Sequence, residues 1–145
     1  MDNTDTLLEC GLGFTCDFDK DREFVGQFSV LQQKARAKTQ GGLRRRMASV
    51  LVRDPEPLMH HGEVLYRNGK PISDIRSASY GHTLNGAIGL TMLESKDENI
   101  TKSFINEGDW EVEIGNKKFP ALVSLAPFYD PKSTRVKDQF YNGGF

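Results

Sequence analysis

Lys70–Leu93, KPISDIRSASYGHTLNGAIGLTML, is the stretch on which the fold turns. Two strand-forming runs flank a short reversal, Ser79-Tyr80-Gly81-His82-Thr83-Leu84, whose glycine and hydroxyl side chains turn the chain without a long loop. On the leading side Glu63–Arg67 supplies a partner strand. Asn68-Gly69 joins the two, because both residues accept the positive φ that a two-residue type I′ turn requires. On the trailing side Gly86–Leu93 is almost continuously apolar, which suits a strand covered on both faces. The pair is expected at the middle of a small barrel.

Working outward, Leu43 to Arg53 has a period of two, with Arg44, Arg46, Ala48, Val50 and Val52 on one side and Leu43, Arg45, Met47, Ser49 and Leu51 on the other. Asp54-Pro55-Glu56-Pro57 ends it, since proline withholds a ladder donor. Trp110, Val112 and Ile114 alternate with Glu111 and Glu113, Gly115-Asn116 turns, and Lys117–Ala126 returns with Phe119, Ala121, Val123 and Leu125 inward. Pro120 implies a free edge or a bulge there. Ser95–Asn99 reads as a charged loop and Thr101–Glu107 as a helical turn or two ending at Gly108. Upstream, Phe24, Phe28, Leu31 and Ala35 repeat at helical spacing, predicting an amphipathic helix over 24–38 that stops at Thr39-Gln40-Gly41-Gly42. Leu12 to Phe18 alternates weakly, as a short strand would, and Pro127–Phe145 reads as irregular. The count is six strands and an N-terminal helix, which suggests a closed or nearly closed antiparallel barrel.

With 145 residues, 37% hydrophobic and 27% charged, the chain has the size of one domain that can bury a core without disulfide staples. No apolar run approaches the roughly 18–20 residues of a membrane span, so no membrane is expected as partner. A net charge of −1 gives no overall reason to expect nucleic acid. The charges are segregated, however: seven acids against two bases precede Phe24, and Lys34 to Arg53 holds seven bases and no acid. Such asymmetry is expected to mark two solvated surfaces, and the basic stretch lacks the interleaved aromatics of a nucleic-acid site. Cys10 and Cys16 are too few for a disulfide scaffold and are expected as free thiols.

Several patterns imitate known sites. Asp17-x-Asp19-x-Asp21 opens like a calcium loop, but Arg22 stands where the sharp turn needs glycine and Phe28 where a bidentate glutamate is needed. Gly11-x-Gly13 is a fragment of a dinucleotide fingerprint, with Cys16 at the third glycine. Cys10, Cys16, His60, His61 and His82 lack zinc-ligand spacing. Arg44-Arg45-Arg46 is more informative. Read plainly it is a solvated or phosphate-attracting patch, yet Arg44 and Arg46 share the face of Val50 and Val52, which would bring a guanidinium to the barrel mouth against a carboxylate.

Gly42-Leu43-Arg44-Arg45-Arg46, Leu65-x-Arg67-Asn68-Gly69-Lys70-x-Ile72, Ser77-x-Ser79-Tyr80-Gly81-x-Thr83-Leu84, Ile88-Gly89-Leu90 and Gly108-Asp109-Trp110-Glu111-Val112, in this order and spacing, resemble the C-terminal barrel domain of the glycine-cleavage aminomethyltransferase family. Glu9–Thr15, Phe24-Val25-Gly26, Pro127-Phe128-Tyr129-Asp130-Pro131 and Arg135-Val136-Lys137 resemble its sarcosine dehydrogenase branch in particular. The resemblance implies a six-stranded antiparallel barrel over 43–130, preceded by the tail end of a folate-binding domain (1–23) and a linking helix (24–42) and followed by an irregular tail (131–145). It implies a parent enzyme that uses FAD and tetrahydrofolate to demethylate sarcosine, in the mitochondrial matrix if the parent is metazoan. This chain alone would then bind neither cofactor, carry no catalytic residue or metal ligand, be inactive, and have as partners the missing folate-binding and FAD domains. The residue that carries over is Arg46, near the folate or the domain seam. In the family a tyrosine after the Pro-Phe end of the last strand reaches the folate cavity; here Ser133 stands at that spacing and Tyr129 lies nearer. A second reading is a non-enzymatic interaction module like the pyruvate dehydrogenase phosphatase regulatory subunit, which shares the domain order.

Overall fold

The period-two run after Leu43 becomes β1 (Arg45–Val52), with Ala48, Val50 and Val52 buried on one face as the alternation requires. The computed structural model describes residues 2–18, 23–135 and 137. Five strands follow: β2 (Val64–Arg67), β3 (Lys70–Gly81), β4 (Gly86–Glu94), β5 (Trp110–Ile114) and β6 (Lys117–Ser124). All neighbours are antiparallel, and the order β1-β4-β3-β2-β5-β6 closes into a barrel, with the Lys70–Leu93 hairpin running through its middle.

Asn68 and Gly69 take φ of 52° and 74°, the type I′ geometry that their sequence predicts. The β3–β4 reversal differs from expectation. Ser79 and Tyr80 remain in the ladder opposite Ile88 and Ala87, and the chain turns at 82–85, where Asn85 supplies the positive φ. Pro120 ends the β6 ladder to β1: its carbonyl accepts from Arg53 N–H at 3.4 Å, so its missing donor falls beyond the last rung that β1 offers. One residue of β3, Arg76, stands opposite no partner between the Ile75–Thr91 and Ser77–Leu90 pairs, a bulge that turns its side chain outward.

The barrel interior is filled. Val50, Val52, Leu65, Ile75, Leu93 and Val112 have no solvent exposure. Thr91 is the polar residue buried among them, and its Oγ1 lies 2.7 Å from Asp74 O and 2.8 Å from Ser73 Oγ, so no hydrogen bond is lost. Gly86 lets β4 approach β1: a Cβ there would lie 2.5 Å from Val52 O.

One N-terminal expectation needs correction. Leu12–Phe18 forms no strand; Gly13–Thr15 is a 3-10 turn, since the preceding N–H groups are used locally, Leu12 N–H on Leu7 O at 2.8 Å. The helix exists as α1 (Gln27–Gln40), starting after Gly26 at φ 88° and ending at Gly41, but its apolar stripe does not cover the barrel. No residue of α1 is buried, and Phe28 and Leu31 face solvent.

Because the Gly86 Cβ position abuts backbone on the neighbouring strand, Gly86→Ala should destabilise the barrel by about 1–3 kcal/mol, read as a lowered urea midpoint at unchanged m-value. An unchanged midpoint would contradict that close approach.

Candidate functional site

The ladder between β1 and β6 covers only Ser49–Val52 opposite Ser124–Ala121, so the first half of β1 has no strand on that edge. Part of the open edge is taken by the N-terminal segment, where Met47 N–H donates to Glu9 O at 2.8 Å. Beside it stands α2 (Lys102–Asn106), a short helix that needs external support. Thr101 Oγ1 caps it by accepting from Phe104 N–H at 3.2 Å, Trp110 Nε1 donates to Ile105 O at 2.9 Å, and Arg67 lies 3.8 Å over the Phe104 ring while donating to Phe104 O. Between this helix and the departing end of β6 lies a cleft of about 320 Å³, lined by Arg46, Lys102, Ile105, Asn106, Ser124, Leu125 and Ala126.

Arg46 therefore reaches the barrel mouth as its alternation predicts. The expected carboxylate does not meet it: among the described residues its one hydrogen bond is from Nη1 to Ile100 O at 3.5 Å, and its Nε is buried with no partner. Burial pulls its pKa below the ordinary arginine value, although a guanidinium remains charged at any physiological pH. The cleft thus holds a cation whose hydrogen-bonding capacity is unmet, beside the apolar walls of Ile105 and Leu125. Such a setting attracts an anion with a flat or apolar body.

The carboxylates go to Arg45 instead. Arg45 lies 2.6 Å from Asp5 and 3.4 Å from Glu9, and the bulged Arg76 lies 2.8 Å from Asp5 and 3.5 Å from Asp2. The first acids of the N-terminus and the basic run are accordingly fastened to each other through Arg45, while Lys34, Arg36 and Lys38 of that run stay exposed. Within this clasp the Asp5 carboxyl is held below its usual pKa, first by the Asp2 N–H and then by Arg76 and Arg45, against the opposing effect of burial. Arg44 is spent on Lys96 O at 2.6 Å.

Tyr129 is not part of the cleft. It is 43% exposed, and its hydroxyl accepts from Arg135 Nη1. Ser133 is likewise apart, in a turn closed by its N–H on Asp130 O at 2.9 Å. Lys102 and Asn106 were not legible as site residues, because a lone lysine opening a five-residue helix carries no signal until that helix is placed against β6. Cys10 is buried and Cys16 half-buried, both as free thiols, and His60 and His61 are exposed. Among the described residues no three His, Cys, Asp or Glu converge as metal ligands, and no helix is long and apolar enough to cross a membrane.

The model of the glycine cleavage T-protein C-terminal barrel domain matches residues 44–130, the barrel itself. The chain belongs to this family. The formaldehyde-forming 4-methylaminobutanoate oxidase of Paenarthrobacter nicotinovorans is 37% identical over 133 residues, 92% of this chain and 15% of that protein. The mitochondrial sarcosine dehydrogenase of Mus musculus is 31% identical over 134 residues, 92% of the chain and 14% of the enzyme. The mitochondrial pyruvate dehydrogenase phosphatase regulatory subunit of Mus musculus is 31% identical over 132 residues, 84% of the chain and 14% of the subunit. The aminomethyltransferase T of Bartonella henselae shares the fold, with a TM-score of 0.59 at 18% identity over 85% of this chain and 31% of that one. The chain thus spans about a seventh of the curated relatives named here, which carry further domains beyond it.

The neighbouring arginines should respond oppositely to substitution. Arg46→Met removes a half-satisfied buried cation and should leave stability unchanged or raise it by about 0.5–1 kcal/mol, whereas Arg45→Met leaves Asp5 short of a partner and should lower the melting temperature; equal effects would contradict their assigned environments. Because the folded pKa of Asp5 is depressed, its stabilisation is complete above the unfolded carboxylate value near 3.8 and is lost as pH falls through the folded value. Asp5→Asn should therefore destabilise the protein at pH 7 and cease to do so in strong acid, as measured by urea unfolding across pH.

Proposed function

We propose that this chain is the C-terminal barrel of a folate-dependent flavoenzyme of the sarcosine dehydrogenase type, that it carries no oxidation chemistry of its own, and that the Arg46 cleft contributes to a folate site completed by another domain. The observation that supports this most is the Arg46 guanidinium itself, charged, partly buried, lining an open cleft beside Ile105 and Leu125 and with its buried Nε unpartnered. Tetrahydrofolate, when bound, takes up the one-carbon unit released by demethylation. It offers carboxylates, which the planar guanidinium fork can receive, and ring surface, which Ile105 and Leu125 can cover. Lys102 adds a second cation to the same cleft.

The flavin has no comparable fit. Gly11-x-Gly13 runs into the 3-10 turn Gly13–Thr15 and opens no strand–turn–helix, so no described residue is assigned to FAD. In this reading residues 1–23 are the tail of the folate-binding domain, and their ion pairs to Arg45 and Arg76 fasten that domain to the barrel. The oxidase is named for 4-methylaminobutanoate and the dehydrogenase for sarcosine. Sarcosine is the proposed substrate, and the mitochondrial matrix the proposed compartment in a metazoan parent.

A second reading, an interaction module like the phosphatase regulatory subunit, draws support from the cleft lining, which contains no acid and hence no acid–base pair. Retention of a phosphatase catalytic subunit by the purified chain would favour it.

The test exchanges this chain for the matching region of the Paenarthrobacter oxidase and measures tetrahydrofolate binding by calorimetry. Losing the charge-assisted contact in Arg46→Met should weaken binding about tenfold or more, with flavin reduction by the amine unchanged. Undiminished folate binding would overturn the proposal, as would sarcosine:acceptor oxidation by the isolated chain.

A further inference from the structure

Phe24, Phe28, Leu31 and Ala35 recur at intervals that place them on one side of a helix, yet this side looks away from the barrel. Phe28 is 73% and Leu31 41% exposed, and Val25 beside them is fully exposed. The residues of α1 that are partly covered are Gln27, Val30, Gln33 and Ala37, on the opposite side, where Gln33 Nε2 donates to Thr6 Oγ1 at 2.9 Å. The amphipathic helix is thus turned with its apolar stripe outward. Phe24, Phe28 and Leu31 also line a concavity of about 460 Å³, large enough to admit an inserted side chain. Around the stripe α1 carries Lys34, Arg36 and Lys38, all exposed, and no acidic residue.

We propose that this stripe is a docking face for the adjoining domain of a longer protein, whose matching surface is apolar and rimmed by carboxylates. Apolar side chains at helical spacing bury themselves against something. The curated relatives carry about six-sevenths of their length outside the region matched here, and the three cations of α1, against the single carboxylate of Glu23 beside the concavity, favour an acidic counterpart over a second copy of this predominantly basic face. The proposal rests on the reading of the chain as one domain of a larger enzyme, and concerns a surface on a different element from the Arg46 cleft.

The experiment follows amide hydrogen exchange of α1 in the isolated 145 residues and in the same residues exchanged for the matching region of the Paenarthrobacter oxidase. Exchange in α1 should slow at least about tenfold in the larger protein, and Phe28→Ser with Leu31→Ser should restore fast exchange there while leaving the urea midpoint of the isolated chain unmoved. A second arm titrates the isolated chain into the oxidase polypeptide lacking its matching region, where the double variant should bind at least about tenfold more weakly. Equal binding, unslowed exchange, unfolding of the isolated chain by the double variant, or a chain dimer abolished by it would each overturn the proposal, the last by making a second copy the occupant. A protected α1 in a chimera that fails to bind tetrahydrofolate would sink the folate reading and leave this one standing.

Discussion

A strand inside a closed barrel must find partners for the backbone groups on both of its edges, and β1 finds a full-length partner on only one. β4 pairs with it from Arg45 to Leu51, while β6 joins only from Ser49. The other features of the site follow from this shortfall. An unpaired edge left bare invites association with other chains, and here it is divided between two occupants. Glu9 supplies the carbonyl for Met47, and α2 stands across the gap between β1 and the departing β6. The cleft is the part of the gap that neither fills.

The same geometry separates three consecutive arginines. Side chains alternate across a strand, so Arg45 must point to the face opposite Arg46. Outward, Arg45 meets the carboxylates of a segment that folds back over the barrel, forming a clasp with the bulged Arg76. Inward, Arg46 enters the mouth and meets a carbonyl at the limit of hydrogen-bonding range, in a cleft whose lining contains no carboxylate. Arg45 is in a setting that favours folding. Arg46 is in one that disfavours it, and a residue whose surroundings work against the fold is best explained by a ligand or a neighbouring body.

The barrel was legible because its signals are local. Period-two alternation fixes which side of β1 is inward, Asn68-Gly69 dictates a turn type, and Thr101 with Gly108 brackets α2. What was not legible depends on contacts distant in sequence. Asp5 meets Arg45 across 40 residues and Arg76 across 71, so the two charge runs are joined at this clasp, while Lys34, Arg36 and Lys38 stay exposed. The β3–β4 turn moved because Ser79 and Tyr80 gain ladder partners that a turn signal cannot foresee. The direction of the α1 stripe was also out of reach, since periodicity says that a helix has an apolar side and not what it faces.

Where the functional surfaces lie follows from the filled interior. Val50, Leu65, Ile75 and Val112 close the barrel axis completely, and small barrels packed this way have no room for a ligand inside. Recognition has to be carried by the rim and by flanking elements. The Arg46 cleft sits at the rim, between α2 and the departing end of β6. The α1 stripe sits on a flanking helix whose apolar side meets Phe18 at Phe24, 5.9 Å between ring centroids, and is open to solvent at Phe28 and Leu31. Each is incomplete in the same sense: one has a cation without its anion, the other an apolar face without its cover. In a free-standing domain neither would add to stability, whereas in a domain that closes over a larger body both become contacts. The barrel supplies the rigidity, its filled core fixing β1 and hence Arg46 in place before anything binds, and a preformed rim loses less on association than a mobile one.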